Sequence, residues 1–160
     1  MGLGAEAQAA AGTREMAVDN VAVGIGTIMR VMPENVTLLW PQLESLFRPA
    51  LLLVSTHEAE DVRRAIMAMR AQLWARIAGN TVEAAATTEF VEYPAGMYVR
   101  VWLAGSLPEC PFDEAEFFEV MNRWRELNRC IGFEAIGRHG WLRKFPKARV
   151  EGLVMRWSDV

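Results

Sequence analysis

The chain starts without a hydrophobic pattern and acquires one near residue 27. Residues 1–24 are rich in Ala and Gly and poor in large apolar groups. Such a stretch buries too little surface to order itself, so it reads as an N-terminal arm ahead of one domain at 25–160. "TIMRVMP" (27–33) alternates apolar and other residues and predicts a strand ended by Pro33. In "ENVTLLWPQLESLF", Val36, Leu39, Trp40, Leu43, Leu46 and Phe47 recur at helical spacing. Pro41 lacks an N–H and predicts a kink or split there, and Pro49 predicts the end. "STHEAEDVRRAIMAMR" predicts a second helix, with Ser55 and Glu58 as a capping box and Val62, Ala65, Ile66 and Met69 as its buried stripe.

The period then changes from helix to strand. "AQLWARIA" runs into a Gly79-Asn80 turn, "TVEAAATTEFVE" returns, "YPAG" turns again, and "MYVRVWLAG" follows. Strict alternation places Met97, Val99, Val101 and Leu103 on one face and Tyr98, Arg100 and Trp102 on the other. "FDEAEFFEVMNRWRELNRC" predicts the clearest helix, capped by Asp113 with Glu116. Its apolar stripe is Phe117, Val120, Met121, Trp124 and Leu127. A short strand "IGFEAIG", a short helix or turn "HGWLRKFP" and a last strand "ARVEGLVMRW" complete the series. The fold class is mixed α+β: a mostly antiparallel sheet with helices on both faces.

Composition narrows the function classes. Of 160 residues, 52% are apolar, enough for a sizeable core. No apolar run approaches the roughly 18 residues that span a bilayer, so no membrane role is expected. The first residues lack the basic-then-apolar order of a signal peptide. Cys110 and Cys130 form no CxxC or Cys/His cluster, which predicts a reduced, cytoplasmic setting and no zinc site. Charge is uneven. From Arg123 to Arg149, eight Lys/Arg against two acids give +6, and the net charge of −3 leaves −9 for the remainder. Such a run is either a solvated face or a phosphate-facing surface.

Within that run, "IGRHGWLRKF" (136–145) holds the densest candidate chemistry. Gly137 and Gly140 permit a sharp strand-to-helix turn. Trp141 and Phe145, four apart, share a helical face and pack inward. Arg138, His139, Arg143 and Lys144 point elsewhere, giving a packed corner with a basic rim.

The order of elements over residues 25–158 resembles the GNAT N-acetyltransferase fold. The stretch "NRWRELNRCIGFEAIGRHGWLRKF" further resembles a pattern in GNAT-like proteins of bacteriophages, carried here by Trp124, Cys130, Gly137, Arg138, Gly140 and Trp141. The resemblance implies acetyl-CoA held by a Q/R-x-x-G-x-G/A loop between the fourth strand and the next helix. It also implies a tyrosine acid after the fifth strand and a glutamate base on a central strand. The matching junction, "LAGSLPECPFDEAEFF", has one glycine, Gly105, two prolines, and the acids Glu109, Asp113, Glu114 and Glu116. The region around Trp141 has no tyrosine.

These departures make the leading expectation a GNAT-like phage protein with a degenerate acetyl-CoA site and no cofactor. It would work through protein–protein contact with a virion or host partner, in a homo- or hetero-oligomer, in an infected cell's cytoplasm or in the virion. The alternative is an acetyl-CoA-dependent N-acetyltransferase with a divergent pyrophosphate loop. A second alternative is a nucleic-acid-binding module using the 123–149 surface. Catalytic candidates are Glu89, Tyr98 and His139, with Glu92 and Tyr93 nearby. Binding candidates are Arg138, Arg143, Lys144, Lys147 and Trp141.

Overall fold

The computed structural model describes residues 28–53, 56–137, 141–145 and 147–152. The expected arm, Ser55, Arg138, His139, Gly140 and the end of the expected last strand lie outside them. Among the described residues nine elements follow in order: β1 (Met29–Val31), α1 (Pro33–Leu51), α2 (Ala59–Met67), β2 (Ala71–Ala78), β3 (Thr81–Tyr93), β4 (Gly96–Ser106), α3 (Glu114–Leu127), β5 (Gly132–Ala135) and α4 (Trp141–Lys144). The strands lie in the order β1-β2-β3-β4-β5. The first four pair antiparallel, and β5 runs parallel to β4 after the α3 crossover. Gly79, at φ +58°, makes the tight β2–β3 turn.

Helices cover both faces. On one, α1 and α2 pack Val36, Leu43, Phe47, Val62 and Ile66 onto Leu73, Ala75, Val82, Ala85 and Leu103. On the other, α3 packs Phe117, Val120 and Met121 onto Trp74, Ala86 and Val101. Two buried threonines reconcile polar groups with this interior. The Thr88 hydroxyl accepts from Trp74 Nε1 at 2.9 Å and donates to Gln72 at 3.0 Å. The other, Thr87, serves the β4 backbone described below.

Several expectations change. Pro41 neither splits nor stops α1, and Pro49 does not end it; the helix runs unbroken to Leu51. An interior proline costs about 3 kcal/mol. Six buried apolar side chains on the opposite stripe, each stabilising by about 1.5–3 kcal/mol, outweigh it. The cap of α2 is Glu58, whose N–H donates to the Asp61 carboxylate at 2.9 Å, so the capping pair sits three residues beyond Ser55. Met69 lies past the helix at φ +58° and is exposed. Leu127, assigned to the α3 stripe, is 76% exposed at the last turn. Residues 148–152, expected to begin a strand, are not in one.

The alternation along β4 is also interrupted. Thr88 pairs with Val101 but Thr87 pairs with Leu103, so Trp102 is an extra residue, a β-bulge. Val101 therefore faces α3 and Leu103 faces α1, not the same side as strict alternation predicts. The bulge frees the Leu103 N–H, and the buried Thr87 hydroxyl accepts it at 3.2 Å.

Candidate functional site

The parallel seam between β4 and β5 is short. It runs from Tyr98↔Gly132 to Val101↔Ala135 and ends one residue before the bulge. Past that point β4 continues alone on its β5 side, among the described residues, to Ser106. A cleft of about 200 Å³ opens there. Val101, Ala104, Gly105 and Ser106 form its β4 wall. Phe112, Glu114, Phe117 and Phe118 come from the start of α3 and the loop before it, Trp141 and Lys144 from α4, and Phe145 from the residue after it.

The aromatic wall is built by contacts between rings. Phe117 lies 5.1 Å from Phe112 and 5.5 Å from Phe118, and Phe118 lies 4.7 Å from Phe145. Trp141, which opens α4, and Phe145, just past its end, lie on one side at 6.1 Å, as their spacing predicts. Gly137 serves this corner by leaving space rather than by a left-handed backbone: a Cβ there would come 3.2 Å from the Trp141 ring. Lys144 pairs with Glu114 between α4 and α3.

The loop entering α3 is fixed by one arginine. Arg76, on β2, donates to the carbonyl oxygens of Cys110 and Pro111 at 3.2 and 3.1 Å and pairs with Glu83 and Glu116. Glu116 also accepts the Ile28 N–H at 2.8 Å. The Asp113 side chain caps α3 by accepting the Glu116 N–H at 3.0 Å. Leu107 donates its N–H to Glu83, and Cys110 donates to Leu107. Gly105 does not serve an anion loop; its missing side chain lets α1 approach, since a Cβ would sit 2.2 Å from the Leu46 carbonyl oxygen.

The sequence candidates divide. Trp141 and Lys144 line the cleft; Arg143 and Lys147 are exposed and do not. Arg138 and His139 lie outside the described residues. Glu89, on β3, and Tyr98, on β4, are on the opposite face of the sheet. There Arg100 donates to Glu89 at 3.1 Å and to Glu134 at 2.6 Å, residues directly across from it on β3 and β5. Burial pulls the Arg100 pKa down, but the hydrogen bonds and charges of Glu134 and then Glu89 win and raise it. Glu89 is thereby committed to an ion pair. Tyr98 stacks edge-on with Tyr93 at 5.8 Å, and Tyr93 donates to Glu134 at 3.0 Å. Glu92 is exposed. No candidate acid or base therefore lines the cleft among the described residues.

Neither cysteine is primed as a nucleophile. Burial, then the hydrogen bond and charge of Glu83, push the Cys110 thiol up. Burial does the same to Cys130. Thiolates are the reactive form, so both shifts oppose reactivity.

The basic run does not form a uniform face. Arg123 pairs with Glu119, Arg125 with Glu126, Lys144 with Glu114 and Arg149 with Glu151. Acids that the sequence places before and after the run come alongside it in the fold. The aromatic wall is the part that spacing alone misses. Phe112, Phe117 and Phe118 crowd the start of α3, more than one buried stripe requires, and that excess was the available signal. Among the described residues no cluster of His, Cys, Asp and Glu could hold a metal. None of the described helices is long and apolar enough to cross a membrane.

No family model and no curated protein matches the chain. Solved structures do match in fold. An aminoglycoside acetyltransferase from an uncultured soil metagenomic sample superposes with a TM-score of 0.63 at 10% identity, over 84% of this chain and 95% of that one. A predicted acetyltransferase with acetyl-CoA, from Clostridium acetobutylicum, gives 0.62 at 9% over 81% and 94%. A ribosomal-protein-alanine N-acetyltransferase from Brucella melitensis biovar Abortus 2308 gives 0.60 at 11% over 81% and 99%. The chain has the GNAT acetyltransferase fold.

Proposed function

We propose that this protein is an N-acetyltransferase that takes acetyl-CoA in the cleft between β4, α3 and α4. The observation that carries the reading is the coincidence of three features at one point of β4. Pairing with β5 ends at Val101, the bulge falls at Trp102, and the cleft opens from Val101 to Ser106. The acetyl-CoA complex among the fold neighbours supports the same cofactor.

The residues fit one part of acetyl-CoA and not another. An extended, mostly apolar arm ending in a thioester suits a narrow cleft walled by Phe112, Phe117, Phe118, Trp141 and Phe145. The β4 backbone beyond Val101 supplies peptide groups beside it. The diphosphate finds no usual cradle. A helix N-terminus attracts phosphate through free N–H groups and its dipole, but α3 opens with its own Asp113 cap and with Glu114 and Glu116. Acetyl-CoA, when bound, supplies an activated acetyl group. The acetyl moves from sulfur to an amine nitrogen: the C–N bond forms, the C–S bond breaks and the nitrogen's proton leaves with the thiol. The chain's part is to hold the arm, exclude water with five aromatic rings, and keep the β4 edge open through the bulge.

A second reading keeps one observation in its favour. The acidic, self-capped start of α3 is what a GNAT-like protein without catalysis would show, one that works through a protein partner such as a phage virion component or a host protein. Thiol release from acetyl-CoA in the presence of primary amines separates the two. The acetyltransferase reading predicts amine-stimulated release that is lost in Ala104→Trp, which fills the cleft, while the circular dichroism spectrum is unchanged. No release with any amine, together with no binding of acetyl-CoA, would favour the contact reading.

A further inference from the structure

We infer that the cleft selects its donor by the pantetheine arm and gains little from the nucleotide, so that its ligand class is the pantetheine thioester rather than the whole of coenzyme A. The inference rests on the acetyl-transfer reading above.

Size is the first argument. Sites that enclose a drug-sized ligand run to roughly 300–1,000 Å³. At about 200 Å³ this cleft encloses only a segment of a molecule as long as acetyl-CoA. Five of the residues around that segment are aromatic, and contact with rings favours an apolar chain over an anion.

Charge is the second argument. Lys144 is the single cation on the described lining, and it is already paired with Glu114, also on the lining. Asp113, Glu114 and Glu116 occupy the first turn of α3 and its cap. A diphosphate beside them meets like charge, at about 1 kcal/mol per pair at 4 Å in water and more where water is excluded. Backbone geometry points the same way. Pro108 and Pro111 have no N–H to offer, and the carbonyl oxygens of Cys110 and Pro111 accept from Arg76. The N–H groups of Leu107, Cys110 and Glu116 are already given to Glu83, Leu107 and Asp113, so the loop that would have to cradle phosphate is short of free donors.

The test is calorimetric titration of the full chain with acetyl-CoA and with S-acetylpantetheine, each at low and high salt. Dissociation constants within about tenfold of one another, with little salt dependence, support the inference. Acetyl-CoA binding more than about tenfold tighter, with affinity falling as salt rises, would overturn it and leave the acetyl-transfer reading standing. Binding of neither ligand would overturn both. Glu114→Gln gives a second readout, because it removes one acid and releases Lys144. Acetyl-CoA should then gain about fivefold in affinity while S-acetylpantetheine stays the same; an equal change in both would contradict the inference.

Discussion

A methyl group on Gly105 would lie 2.2 Å from the carbonyl oxygen of Leu46, closer than any real contact allows. The obstacle is backbone, held within α1, so it cannot swing aside. Gly105→Ala should cost about 2–3 kcal/mol, as overpacked positions do, and should lower the urea midpoint without changing the slope. Thr87 makes a different kind of demand. Its hydroxyl is the acceptor for the Leu103 N–H that the bulge sets free. Thr87→Val keeps the shape and leaves that buried N–H without a partner, at a cost of about 1–3 kcal/mol. If thermal unfolding shows no loss, the bulge is not held by this bond. Neither role is written in the residue type: a glycine near a helix start suggests an anion loop, and a threonine in a strand suggests only β-propensity.

At the scale of elements, α2 offers a test in pH. The backbone hydrogen bond from Glu58 lowers the Asp61 pKa from its ordinary value of 3.8; burial opposes it to a lesser degree, and Arg64 adds to the lowering. The folded state then holds its proton less tightly than the unfolded one. The stability this gives is present above the ordinary value and is lost as pH falls through the lower folded value. Wild type should therefore exceed Asp61→Asn in urea midpoint near pH 6, and the difference should close in strong acid. A difference independent of pH would contradict the assignment.

Elements were also where the sequence was most legible. The Asp113 cap of α3, the Gly79-Asn80 turn and the antiparallel meander of β2, β3 and β4 follow from local chemistry that tertiary packing does not overrule. The same local rules failed at Pro41 and Pro49, because packing of Val36, Leu43 and Phe47 outweighs a missing hydrogen bond. They failed again at Trp102, because a bulge changes which face a residue takes without changing the alternation of residue types.

The whole molecule sets what neither scale reveals. The cleft exists because β4 outlasts β5, and because rings from α3 and α4, elements separated in sequence, converge on it. Trp141 and Lys144 were visible as candidates from their own segment. Phe112, Phe117 and Phe118 were not, since their function depends on what α4 brings. The basic stretch is partly neutralised for the same reason: its partners Glu114, Glu119 and Glu151 lie beyond its ends. The most direct test of the central claim is amide hydrogen exchange with and without acetyl-CoA. The account predicts slower exchange confined to residues 101–106, 114–118 and 141–145. Protection elsewhere, or none at saturating acetyl-CoA, would contradict it.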